Sequence, residues 1–324
     1  MKKATFVAGL ASLMMLTFPV AATAMSKDKS ASASQETMSL LEMNAMPYIA
    51  LRQDVVGIEA SSPNNAKVMR EAHHLLASHN PSVMDRAVVS YAALVAADTP
   101  AFAKTIEKMT AKKKKRKAFL QNLSDDPAMI RNIDGADAAI ESIMNMAARD
   151  ATRISLLGGR FITDAYTIQN QGWAKRKLQS NGTSRVNGAT KWAASRSWPE
   201  MAASPAIRSK AGTLRPNLVA DAIWTQEWSA DMSPPKPNSK AGAFMTKALI
   251  LGARYATNDL KPEHLDRYAS SRATNRCFVS AKLNFDQCIA ATRTPFEEAF
   301  CIGTHGLNDI SRCVGWPAGA GTPK

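Results

Sequence analysis

The chain carries no H-E-x-x-H, no G-x-S-x-G and no phosphate-binding glycine loop, so zinc-protease, serine-hydrolase and P-loop chemistry have no local signature in it. An S-x-x-K match, Ser26 to Lys29, falls in a small-residue linker and is a chance match. Aromatic residues are sparse at 6%, and no run of β-branched, alternating residues marks a strand. After residue 24 no segment holds the 18 or more apolar residues that crossing a bilayer needs. Cysteine is missing from the first 276 positions, which excludes a lipid-anchoring cysteine behind the leader. Acids are in deficit: 41 Lys and Arg face 27 Asp and Glu, a net charge of +14.

The first 24 residues have the three parts of a cleaved secretory signal. Lys2 and Lys3 supply the charge, Phe6 to Val20 the apolar segment, and Ala22-Thr23-Ala24 the small-residue cleavage site. Losing Lys2 and Lys3 with the leader takes the charge from +14 to +12. In an exported protein such basicity points away from nucleic acid. It points toward anionic lipid, cell-wall polymer or an acidic envelope protein.

Residues 25–37 are small and polar and read as a disordered linker. From Met38 onward the punctuation is that of helices. Asn64-Asn65 precedes one, Asn80-Pro81-Ser82 starts a second, Thr99-Pro100 a third and Asp125-Asp126-Pro127 a fourth. The fold class is therefore all-α, a helical bundle. Its long central helix is expected from Asp137 to Lys177, capped by Asp134. A seam spaced four and three runs along it through Ile140, Met144, Ala147, Ala151, Ile154, Gly158, Phe161, Ala165, Ile168 and Gly172. That seam suits packing inside a bundle or an intermolecular coiled coil, and Gly158-Gly159 is its expected kink. The organisation read from these signals is an N-terminal bundle over 38–179 and a loop-rich, Trp-containing connection over 180–240. A C-terminal helical module over 241–316 and a loose tail over 317–324 complete it.

All four cysteines sit in that module, at intervals of 11, 13 and 12 residues. On an α-helix an 11-residue step is about 1100°, within ~20° of three turns, so Cys277 and Cys288 share a face. Thr274 or Asn275 is the expected cap of this first arm, and Thr294-Pro295 breaks it and starts a second. Two antiparallel arms favour nested disulfides, Cys277 with Cys313 and Cys288 with Cys301. Four cysteines permit three connectivities, and spacing alone does not select one. The 12-residue step fits poorly, since about 1200° leaves Cys313 roughly 120° out of phase with Cys301. Either Gly303 and Gly306 loosen the arm or Cys313 lies past its end. Zinc is disfavoured because no two cysteines stand two to four residues apart. No metal or cofactor and no catalytic residue is assigned.

Two clusters qualify as candidate binding surfaces. Lys112, Lys113, Lys114, Lys115, Arg116 and Lys117 form the densest charge run, suited to an anionic surface or, more blandly, to a solvated helix C-terminus. Trp224 and Trp228 stand one helical turn apart and suit a ligand platform or plain packing anchors. Of five histidines, His73 and His74 diverge by ~100° on a helix. His305 lies between the expected disulfide rungs, where Asn284 or Asp309 is its expected partner.

The segment C-x10-C-x12-C-x11-C, with A-K-L-N-F-D-Q-C and E-E-A-F-C-I-G-T-H-G, resembles the C-terminal region of uncharacterised exported alphaproteobacterial proteins. The Y-T-I-Q-N-Q-G-W stretch resembles them more loosely. The resemblance implies export and disulfide pairing and supplies no functional residues. The expected function is non-enzymatic binding or organisation of envelope components through basic surfaces. The alternatives are an envelope hydrolase using Asp164, Trp173, Trp224 or His305, and a structural or chaperone-like subunit assembled through the long seam.

Overall fold

Helix is the only regular structure among the residues described by the computed structural model of the chain, 39–61, 63–196 and 238–319. The signal segment, the 25–37 linker and the Trp224–Trp228 platform lie outside them. Twelve α-helices occur among the described residues: α1 Leu40–Glu59, α2 Ala66–Ala77, α3 Pro81–Asp98, α4 Pro100–Thr110, α5 Lys113–Asp125, α6 Ala136–Ile168, α7 Gly182–Ala194, α8 Gly242–Ala256, α9 Pro262–Tyr268, α10 Arg272–Ala291, α11 Pro295–Cys301 and α12 Ile310–Gly315. No described helix is long and apolar enough to cross a membrane.

The sequence punctuation works locally. Asn65 accepts hydrogen bonds from the backbone N–H groups of Lys67 (2.9 Å) and Val68 (3.0 Å), and Asn80 accepts one from Ser82 (3.0 Å) before Pro81 opens α3. α3 is apolar on nearly every side and is sandwiched by α1, α8 and α10, so the central position belongs to it. α6 is the longest of the described helices, at 33 residues, and lies beside α3. Segments from both ends of the chain thus share one core.

α6 differs from expectation at both ends. Its first cap is Gly135, with φ +79°, and Asp134 makes no capping bond. A β-carbon at Gly135 would lie 2.5 Å from the Ala101 carbonyl carbon, so both conformation and space demand glycine there. The helix stops at Ile168 rather than Lys177, leaving Gly172 outside the seam in a run of turns. The seam itself is filled from within the chain. α11, a π-helical segment Ile302–Asp309 and α12 pack along it and bury Ala151, Ile154, Phe161 and Ala165. Each large apolar side chain so buried contributes about 1.5–3 kcal/mol. The helix runs unbroken through Gly158-Gly159, and Gly158 serves close approach: a β-carbon there would meet Asn308 Oδ1 at 2.3 Å and Gly303 O at 2.9 Å.

The C-terminal arms are joined as expected from antiparallel pairing. Cys277 bonds Cys313 with Cα atoms 5.5 Å apart, and Cys288 bonds Cys301 at 5.6 Å. The π-helical segment explains how the 12-residue step succeeds. Eight residues closed by i→i+5 bonds turn roughly 85° each instead of ~100°, which sheds about 120° and returns Cys313 to the face of Cys301. The cap of α10 is not Thr274 or Asn275. The helix begins after Ser271, and Asp85 of α3 accepts from the Ser271 N–H (3.0 Å) and from the Thr274 hydroxyl. Burial pushes the Asp85 carboxyl above its usual range, and these donors pull it back.

Candidate functional site

A polar cleft of about 640 Å³ is lined by α2, the turns after α6, the start of α7 and the start of α11. That size falls within the ~300–1,000 Å³ typical of small-molecule sites. Each wall has a local cause. On α2, Arg70, His73 and His74 follow Ala66 by four, seven and eight residues, which places all four within a broad arc of about 100° on one side of the helix. Trp173, Arg176 and Lys177 are carried by the turns after Ile168, a segment tied down where Leu178 donates its N–H to Arg293 O at 2.9 Å. Gly182 lets α7 start against α10, since a β-carbon there would lie 1.9 Å from Ala290 O. Asn181 then caps α7, accepting from Ser184 N at 2.8 Å.

The charges in the cleft fall into two groups. Arg185 is bound by the protein: its Nε lies 2.6 Å from Glu298 Oε1, and its Nη2 donates to Thr292 O (2.7 Å) and Thr292 Oγ1 (2.6 Å). Burial pushes the Glu298 carboxyl above its usual range, while the guanidinium of Arg185 works in the opposite sense. Arg70, Arg176 and Lys177 are exposed and have no ion-pair partner among the described residues. Three cations against one already neutralised carboxylate leave the cleft strongly positive.

Its floor holds a neutral imidazole. His73 is 1% exposed, sits edge-on to Phe285 with ring centres 5.5 Å apart, and has a pKa pushed down to about 3. Burial is the main cause, followed by the charges of His74, Lys282 and Arg185. Its Nε2 is buried without a hydrogen-bond partner among the described residues, an uncommon state for a native polar atom. His74 is stacked on Trp192 at 5.6 Å, and burial followed by Arg70 lowers its pKa. The half-buried indole of Trp173 completes the wall, its Nε1 donating to Gln171 Oε1 at 2.5 Å.

Comparison with protein-family models, curated proteins and solved structures found no match. The site therefore stands on its geometry.

The residues singled out from sequence are distributed unevenly around it. Trp173 lines the cleft, whereas Asp164 and His305 do not. Asp164 faces Arg160 at 4.0 Å. His305 chose Asp309, with Nδ1 2.8 Å from Asp309 Oδ2, and Asn284 donates to that same oxygen at 3.2 Å. A catalytic-looking pair exists elsewhere, His79 Nε2 lying 2.7 Å from Asp54 Oδ2. The neighbouring Ser78 hydroxyl donates to Leu75 O (2.6 Å), and Arg196 clamps Asp54 from Nη1 and Nη2, so the constellation forms a buried knot. No three His, Cys, Asp or Glu side chains converge on a metal-sized position among the described residues.

Lys112 to Lys117 lie at the start of α5, not at a helix C-terminus. All are exposed except Arg116, which is half-buried and donates to Thr257 O. The cleft's cations are not evident as a group in the sequence, because they come from three separate stretches, α2, the turns after α6 and α7. The only sequence hint was Trp173 beside Lys175, Arg176 and Lys177.

Proposed function

We propose that the protein is an exported, non-enzymatic binding protein of the cell envelope, periplasmic or secreted, that holds a small phosphate- or carboxylate-bearing ligand in the α2–α7–α11 cleft. The observation carrying this reading is the set of three unpaired cations, Arg70, Arg176 and Lys177, around one enclosed space. Guanidinium groups form paired, charge-assisted bonds to phosphate and carboxylate oxygens. The first turns of α2 and α7 add helix N-termini to the same space, which favours an anion. Trp173 offers a flat apolar wall, so the preferred ligand carries a ring or sugar next to its charged group.

Two disulfides support the compartment, because such bonds persist where conditions are oxidising. The alphaproteobacterial exported proteins that the four-cysteine segment resembles belong to the same reading.

Calorimetric titration of the mature protein with inorganic phosphate, a hexose phosphate and the neutral hexose tests the reading. The hexose phosphate is expected to bind at least tenfold more tightly than the neutral sugar, with inorganic phosphate between them. Equal affinity for charged and neutral sugars, or no binding by any of the three, counts against an anion site.

A further inference from the structure

The α4–α5 hairpin presents a second cationic surface that shares no residue with the cleft. We infer that this hairpin is a docking face for an anionic phospholipid bilayer. Lys112 is the N-cap of α5, and Lys113, Lys114, Lys115, Arg116 and Lys117 fill its opening turns, with no acid in the first. A helix N-terminus already carries partial positive charge, so this is the end where cations help folding least. None of these lysines has an ion-pair partner among the described residues. The arrangement opposes the local electrostatics of the helix, so its explanation lies outside the fold.

What sits between the helices decides which anion fits. Lys104 and Lys108 of α4 and Lys115 of α5 rim an open depression of about 710 Å³. Its lining includes Met109, Phe119, Met129 and Ile133, with Asp134 as the one carboxylate. Met109, Met129 and Ile133 are half-buried, leaving apolar surface reachable from the lysine rim. A soluble polyanion matches the lysines but has no use for that floor. A bilayer surface matches both, with headgroup phosphates on the rim and the acyl boundary over Met109 and Ile133.

The test is co-sedimentation of the mature protein with vesicles of phosphatidylglycerol and phosphatidylcholine, against pure phosphatidylcholine, at low and high salt. Binding is expected only to the anionic vesicles and should fall at least tenfold between 0.05 and 0.5 M salt as screening shortens. The variant K112Q/K113Q/K114Q/K115Q/K117Q keeps Arg116, which holds Thr257, and so keeps its fold by circular dichroism. At about fivefold per charge, it should lose more than a hundredfold in partitioning. M109S/I133S should retain anionic selectivity but lose several-fold. R176Q/K177Q in the cleft should bind vesicles nearly as well as the parent, which separates this inference from the proposed ligand site. Equal partitioning of the parent and the five-lysine variant overturns the proposal. So does binding to soluble polyphosphate without binding to vesicles, which makes the partner a polymer instead.

Discussion

Two groups of cations in this protein have opposite histories. Arg52 of α1 is 1% exposed and lies beside Asp150 of α6, which is fully buried, with Nε 3.2 Å from Oδ2. Tyr48 donates to the same carboxylate oxygen at 2.6 Å, and Arg52 donates to the Tyr91 hydroxyl, so the network ties α1, α3 and α6 together. Burial and Asp150 raise the Tyr48 pKa well above its usual value, and burial pushes Tyr91 to about 12, so both stay protonated. In the cleft, by contrast, Arg70, Arg176 and Lys177 are held at the surface of a concavity whose one carboxylate, Glu298, is already bound to Arg185. Charge that has its counter-charge built in belongs to the fold. Charge gathered without one is available to something that arrives.

Breaking the buried side of this comparison should give the largest effect. Asp150→Ala leaves the Arg52 guanidinium buried without its carboxylate, and a loss of about 3–5 kcal/mol in denaturant unfolding is expected. Replacing the pair together, Arg52→Met with Asp150→Leu, should recover most of that loss. A double variant as unstable as the single one would show that the pair contributes more than mutual neutralisation.

Next in size come the disulfides. Removing Cys277–Cys313, with its separation of 36 residues, should cost about 4 kcal/mol; removing Cys288–Cys301, with 13, about 3 kcal/mol. Thermal unfolding of the two serine-pair variants should therefore rank them in that order. Equal shifts would contradict a loop-entropy origin.

Per pH unit the effect is smaller at His73, which belongs to the floor of the cleft. Its folded pKa of about 3 lies below the ordinary histidine value of 6.5, so the unfolded chain binds the extra proton first as pH falls. Its contribution to stability is complete above pH 6.5 and declines toward pH 3, at up to about 1.4 kcal/mol per pH unit. His73→Gln, which cannot take up that proton, should flatten the acid limb of stability against pH. An unchanged slope would place the acid sensitivity elsewhere.

The two regions also differ in how far the sequence announces them. Local chemistry is legible: Asn80-Pro81 marks the start of α3, and the 11-residue cysteine step marks a shared helical face. Features that depend on partners far along the chain are not. Asp85 caps α10 from 186 residues away, and nothing near Ser271 hints at it. The π-helical turn that rephases Cys313 contains Gly303, which packs onto Gly158, a contact between two helices that sequence spacing does not pair. The cleft is the extreme case. Arg70, Arg176, Lys177 and Arg185 come from α2, a turn and α7, while the dense Lys112–Lys117 run drew attention to a different surface.

The central claim is that unpaired cations in the cleft bind a ligand through their position and not merely through their charge. The direct measurement is titration of the hexose phosphate into three proteins at one ionic strength: the parent, R176Q/K177Q, and the charge-matched control K175Q/K191Q. Lys175 and Lys191 are exposed and do not line the cleft. Both variants should stay within about 0.5 kcal/mol of the parent in stability, since each changes surface side chains only. The account predicts at least a tenfold loss of affinity in R176Q/K177Q and no change beyond twofold in the control. Equal losses in both variants would contradict it, because general basicity would then explain the binding without the cleft.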